Sequence, residues 1–315
     1  MRRYVPELPL LTRIYGDWRE FELPTASCYI YARSNEERSR HPGAWEQRGE
    51  DCRFVEIVRQ KRFAFSARFG GATHEILIRS RTALSNFISQ VQSPGGLYVN
   101  ITGIEHHVWA PIVREGLSRS RRIKAVYVEP EHYRYSSNPT EGRLFDLTAR
   151  FTEISSLPGF ARLESIEDEA KTCFVPLLGF EGNRLAHAIE KIDPPVENIL
   201  PVVGVPGFRA GFPFNTYLGN RGALEKDGLW KQVRFAIANS PFSAIESLRA
   251  IAADYPDHLL KIAPLGTRPH ALGAVLFALN SSAQVELVYD NPTPAPQRSD
   301  GAGSILVYDV TAMVS

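Results

Sequence analysis

The stretch Leu259–Asn280, "LLKIAPLGTRPHALGAVLFALN", decides how the rest of the chain is read. Its opening residues are apolar and β-prone, the run stops at Gly266, and a second apolar run begins after Pro269. A short apolar run bounded by glycine reads as a buried strand, and proline just ahead of a longer apolar run reads as a helix start. The pattern therefore predicts strand, tight turn and helix, the unit from which parallel sheets are built. Ligands of open parallel sheets lie outside the carboxyl ends of the strands, so the polar turn "GTRPH" is the first place to look for chemistry.

Working outward, "CYIYA", "CRFVEIV", "TALSNFISQV", "GLYVNITG", "HHVWAPIVREGL" and "IKAVYVEP" alternate strand-like with helix-like runs between Ala26 and Pro130. The alternation recurs from Cys173 to Pro292, from "CFVPLLGFEG" through "NILPVVGVPG" and "SAIESLRAIAADY" to "VELVYDNP". Spacing repeats as well. Cys28 precedes Ser34 and Glu36 as Cys173 precedes Gly179 and Glu181, arginine follows at Arg38 and Arg184, and a histidine stands four residues after Gly103 and after Gly266. The expected fold class is α/β, with two similar Rossmann-like units, mostly parallel sheets and a hairpin-containing linker. Residues 1–135 form the first unit with an N-terminal extension, 136–171 the linker and 172–315 the second unit. Within the linker "FTEISSLPGFARLE" predicts a hairpin turning at Pro158 and Gly159, and "SILVYDVTAMV" predicts a last edge strand.

Composition narrows the class. The chain has 315 residues, 43% hydrophobic and 23% charged, which suits one large or two ordinary globular domains. A formal net charge of +1 gives no global field for duplex DNA or anionic membrane, although a local basic patch is compatible with that total. "MRRYVPELPLLTRIYGDW" fits neither a secretion signal nor a membrane span, so a cytoplasmic protein is expected. Cys28, Cys52 and Cys173 form no C-x-x-C pair, and no metal or cofactor is expected.

Candidate residues cluster at the predicted strand ends. Gly266 allows a tight turn, Pro269 suits the first helical turn, and the helix N-terminus favours an anion beside Thr267, Arg268 and His270. Thr102, Gly103 and His107 occupy the corresponding turn of the first half. Arg38 and Arg184 are candidates for phosphate binding, and Glu36, Glu181, His107 and His270 for acid/base work. The competing reading pairs each Glu with its nearby Arg and leaves Thr267 as an N-cap. Ser80 and Ser240 read as caps, with ligand contact by Ser240 the alternative. His106 and His107 read as a structural pair, with a proton shuttle or a metal contact as the alternatives. "GVPGFRAGFPFNTYLGNRG", with Arg209 and Arg221, reads as a lid or interaction loop. G-x-G-x-x-G, Walker, G-x-S-x-G and H-E-x-x-H signatures are missing, which weighs against a common hydrolase or metalloprotease.

"APLGTRPHALGAVLFAL" followed by "VELVYD" resembles the CRISPR-associated Rossmann-fold sensor domains, CARF, in which a Thr/Gly-rich turn with a basic residue precedes an apolar helix. "NITGIEHHVWAPIV" is similar but looser, with Ile104 and Glu105 where a second Gly/Thr and the basic residue are expected. Two such units also resemble the SAVED domains of prokaryotic antiphage systems. The resemblance implies a cyclic oligonucleotide or related nucleotide messenger between the halves. Gly266, Thr267 and Arg268 would be its contacts, Thr102 and Gly103 the weaker pair. Three functions stay open: a defence-associated nucleotide sensor acting on a protein partner, a nucleotide phosphodiesterase, and a non-catalytic subunit of a defence or nucleic-acid-processing complex. The last predicts an exposed apolar patch.

Overall fold

The computed structural model of the chain describes residues 11–40, 51–119, 122–140, 142–162, 171–226 and 228–313. The first ten residues and the 163–170 part of the expected linker lie outside these. The elements that matter are β1 Thr12–Tyr15, β2 Cys28–Tyr31, β3 Arg53–Lys61, β4 Ala64–Phe69, β5 Ala72–Leu77, α1 Arg81–Val91, β6 Leu97–Asn100, α2 His106–Ser118 and β7 Ile123–Val128. They continue as β8 Ser155–Ser156, β9 Thr172–Leu177, α3 Gly182–Ile192, β10 Val202–Gly204, α4 Phe212–Gly219, α5 Arg221–Lys226 and β11 Arg234–Ala236. The last are α6 Pro241–Asp254, β12 Leu259–Pro264, α7 Arg268–Asn280, β13 Val285–Tyr289 and β14 Ile305–Asp309.

The protein is a mixed α/β fold whose compact units are Met1–His132 with Ser299–Ser315, and Tyr133–Arg298. This departs from the expected boundaries of 135 and 172. The C-terminal strand β14 belongs to the first unit, where it pairs antiparallel with β7 on one side and β1 on the other. It is therefore an interior strand, and not the edge of the second unit. Its four apolar or aromatic positions explain why: Ile305, Leu306 and Tyr308 are at most 1% exposed, which an edge does not provide.

The first sheet runs β1-β14-β7-β6-β2-β3-β4-β5. Only β7, β6, β2 and β3 are mutually parallel, so the expected mostly parallel sheet holds at its centre and antiparallel strands complete both sides. The meander β3-β4-β5 turns at Gly70 and Gly71, both at positive φ. β2 is buried at every position, as a strand covered on both faces must be.

The second sheet runs β8-β13-β12-β9-β10-β11, all parallel except β8. Numbering its parallel strands by sequence gives the order 3-2-1-4-5, with β9 as the first and β12 as the fourth. Strand order reverses between β9 and β12, the topological switch point. The first unit has its own reversal between β2 and β6 in a 2-1-3-4 order, the order of β10-β9-β12-β13 in the second unit, which adds β11 at one side. The predicted Pro158–Gly159 turn is present, with the Phe160 N–H on the Leu157 carbonyl at 2.9 Å, but its first arm pairs with β13 and forms the sheet edge β8.

Two glycines let the switch-point loops close down. A side chain on Gly103 would strike the Ala32 carbonyl, and one on Gly266 would strike the Leu178 carbonyl. α7 then follows, buried at all of Arg268–Phe277, which explains its apolar residues on every face. Because backbone cannot yield to an added methyl as a side chain can, Gly103→Ala and Gly266→Ala should each cost roughly 1 to 3 kcal/mol in urea unfolding, against under 0.5 for exposed Gly16→Ala.

Candidate functional site

Each candidate residue sits at the carboxyl end of a parallel strand, and the two units treat these residues differently. In the first unit Thr102 is 2% exposed, its N–H donates to Asn100 Oδ1 at 2.8 Å, and its hydroxyl oxygen accepts the Val128 N–H at 2.9 Å. Gln60 closes the same loop: its amide donates to the Gly103 carbonyl at 3.1 Å and its oxygen accepts the Glu105 N–H at 2.7 Å. Asn100 and Gln60 thus supply acceptors to two N–H groups of that turn.

In the second unit the turn is more open. The Thr267 hydroxyl oxygen accepts the His270 N–H at 3.3 Å and donates its proton to the Ala238 carbonyl at 2.9 Å, so Thr267 is the cap of α7. The main-chain N–H groups of Gly266 and Thr267 meet no acceptor among the described residues, and both residues are half-buried. Two consecutive donors at a helix N-terminus and at the switch point suit an oxyanion. Arg268 follows them with 9% exposure.

His270 lies wholly inside, with Nε2 3.1 Å from the Ile237 carbonyl. Burial lowers its pKa to about 4, only partly offset by hydrogen bonding to the Ile237 and Ala236 backbone. It is neutral at pH 7 and shielded from solvent. His107 is half-buried, 3.1 Å from the Lys61 carbonyl, and burial also lowers its pKa, partly offset by the charge of Glu105. His106 is 5% exposed and packs on Trp109 at 5.4 Å between ring centroids. The pair is built into the start of α2.

The arginines after the first strands are both buried cross-ties. Arg38 donates to Glu36 at 2.6 Å, to the Tyr127 hydroxyl at 3.0 Å and to the Val128 carbonyl at 3.1 Å, while Glu36 also accepts from Ser299 at 2.7 Å. Tyr127 passes the link to Glu129 at 2.8 Å. Arg184 grips Asp290 in two bonds of 2.6 and 2.7 Å and donates to the Leu265 carbonyl at 2.9 Å. Glu181 is 3.9 Å from Arg184 but takes both Thr148 donors, at 2.6 and 2.9 Å. The expected Glu–Arg pair thus forms in the first unit; in the second, Asp290 replaces Glu181 as the main partner. Sequence reading missed Asp290, Asn100 and Gln60. The acid-plus-proline closings "YVEP" and "YDNP" were the available signal for the acids.

Ser240 caps α6, accepting the Ser243 N–H at 3.1 Å, and Ser80 caps α1 at 3.2 Å. The loop read as a lid folds into α4, followed by α5. Phe214, Leu218 and Trp230, with exposures of 75%, 54% and 56%, border a groove of about 560 Å³ beside Tyr217 and Leu224, and an Arg221–Glu225 ion pair of 2.9 Å lies on it. Burial raises the Cys28 and Cys173 thiols to about 12, which leaves them inert. Among the described residues no His/Cys/Asp/Glu group has the arrangement of a metal site, and no helix is long and apolar enough to cross a membrane.

Since the native His270 pKa lies below its unfolded value, its contribution to stability is complete above pH 6.5 and is lost as pH falls toward 4. Denaturant titrations should show wild type losing roughly 3 kcal/mol more than His270→Gln over that window. Parallel curves would mean that the imidazole is hydrated.

With this geometry in hand, comparison finds no matching protein-family model, no matching curated protein and no matching solved structure.

Proposed function

We propose that the chain is a non-catalytic binding protein for an anionic nucleotide, recognised at the start of α7 in the second unit. One observation carries the reading: the Gly266 and Thr267 N–H groups are without acceptors among the described residues at the point where strand order reverses. A phosphate supplies the acceptors, and Arg268 adds charge and a planar donor set. The resemblance of "PLGTRPHALG" to CARF turns makes cyclic oligonucleotides, and with them prokaryotic antiphage defence, the first context to test. Catalysis is disfavoured because the acid/base candidates are engaged internally: His270 is buried and neutral, Glu36 holds Arg38, and Glu181 holds Thr148.

A second reading, a non-catalytic subunit of a larger defence or nucleic-acid-processing assembly, is favoured by the exposed Phe214, Leu218 and Trp230 around one groove. The two readings are compatible, since a sensor needs a recipient for its signal.

Mononucleotides, dinucleotides and cyclic oligonucleotides should be screened by thermal shift, with chromatography of each mixture afterwards. The expected result is a rise in Tm with one class, equivalent to about 2.7 kcal/mol at a hundredfold excess over Kd, with ligand recovered intact. Arg268→Ala should abolish the rise, and Thr267→Val should weaken both capping and binding. Recovery of a cleaved product would replace the sensor with a phosphodiesterase; no shift with any nucleotide would leave the subunit reading.

A further inference from the structure

We propose that the end of the β3–β4 hairpin in the first unit, formed by Arg59, Lys61, Arg62, Phe63 and Arg79, is a docking surface for single-stranded nucleic acid. Charge is the first ground. Residues 53 to 81 carry seven Lys and Arg against two Glu, while the whole chain is balanced to +1. All these cations are exposed. Glu56 is engaged by Arg68 at 3.2 Å and by Arg33 at 3.6 Å, and Glu75 is 3.0 Å from Lys61. Arg59, Arg62 and Arg79 then have no carboxylate partner among the described residues. Three unneutralised guanidiniums on one hairpin end repel one another, an arrangement that a chain of phosphates relieves by releasing its own counterions.

The aromatic is the second ground. Phe63 is 39% exposed at the turn, with the Arg79 guanidinium 3.6 Å from its ring centroid and that of Arg62 at 5.2 Å. The Ile78 N–H donates to the Phe63 carbonyl at 2.9 Å, which ties the Arg79 segment to the turn. A ring and flat guanidiniums presented together are a stacking platform for unpaired bases, which double-stranded nucleic acid does not offer. Arg59 and Lys61, two apart on a strand, project to the same face as phosphate contacts. An acidic polypeptide would satisfy the charge but leave the stacking surface unused.

The surface is remote in sequence from the α7 turn and is tested separately from it. Fluorescence anisotropy of labelled oligo(dT) and oligo(U) of about 20 nucleotides, enough to span at least one site, should show saturable binding by the full chain. Log affinity should fall with log salt at a slope of roughly −2 to −3 for four cations, measured between about 50 and 200 mM. The Arg62→Ala, Arg79→Ala double variant should bind at least tenfold more weakly with a shallower slope, and Phe63→Ala roughly 5- to 100-fold more weakly. Arg268→Ala should leave this binding unchanged. Thermal unfolding of the variants checks that they fold; those at Arg62, Phe63 and Arg79 lie at exposed positions. Absence of saturable binding at the lowest salt overturns the proposal, as does wild-type affinity in the double variant. Polyglutamate competing as well as the oligonucleotide assigns the surface to an acidic polypeptide and overturns it too.

Discussion

The second unit depends on one buried guanidinium. Arg184, 8% exposed, leaves the first turn of α3 and reaches Asp290 beyond β13 and the Leu265 carbonyl beyond β12. It thereby ties the loop after the first strand to those after the fourth and fifth. Asp290 is 0% exposed, so neither charge survives there alone: deleting one member of such a pair typically costs about 3 to 5 kcal/mol because the other is stranded. The pair need not add net stability over an apolar substitute. It fixes geometry, since two parallel bonds to Asp290 and a third to a backbone carbonyl allow the strand ends only one arrangement. Arg38 serves the first unit in the same way with different partners, working through Glu36, Tyr127 and the Val128 carbonyl.

The strands and helices were legible because their signals are local. Runs such as Cys173–Leu177 are apolar and short, and the starts of α1, α6 and α7 carry a serine or threonine cap, with proline in the first turn of α6 and α7. Pairing was not legible. β14 lies far from β7 in sequence, and nothing in "ILVYD" states which sheet will receive it. The meander was hidden by the same limit, although the Gly70–Gly71 pair is a hairpin signal that a stricter reading of "RFGGATHEI" supplies. The duplicated spacing did locate equivalent arginines after each first strand. It could not show that one would choose an acid two residues away and the other an acid 106 residues away.

The acids and histidines show how burial changes the meaning of a residue type. A histidine four residues after a glycine suggested chemistry in both halves, yet His270 is held neutral by desolvation and spends its Nε2 on the Ile237 carbonyl. Glu181 looked like a base because it follows a strand; its two oxygens instead accept the Thr148 backbone and hydroxyl protons. Those oxygens are spent on Thr148, and His270 is held neutral inside the unit. The proposed recognition by hydrogen bonds and charge needs no titrating group.

The contrast between the two turns sharpens that conclusion. Both bring a glycine against a neighbouring carbonyl, and both precede a buried helix. Around Thr102–Glu105 the chain supplies acceptors from Asn100 and Gln60 to the Thr102 and Glu105 N–H groups. Around Gly266–Thr267 no such side chain is provided, and an unpaired buried N–H costs about 1 to 3 kcal/mol. Both residues are half-buried, which lessens that cost. In the proposed function a ligand phosphate would supply the missing acceptors to donors already fixed in place. The single site proposed for the second unit rests on this difference between Gly266–Thr267 and a turn whose Thr102 and Glu105 N–H groups are met by Asn100 and Gln60.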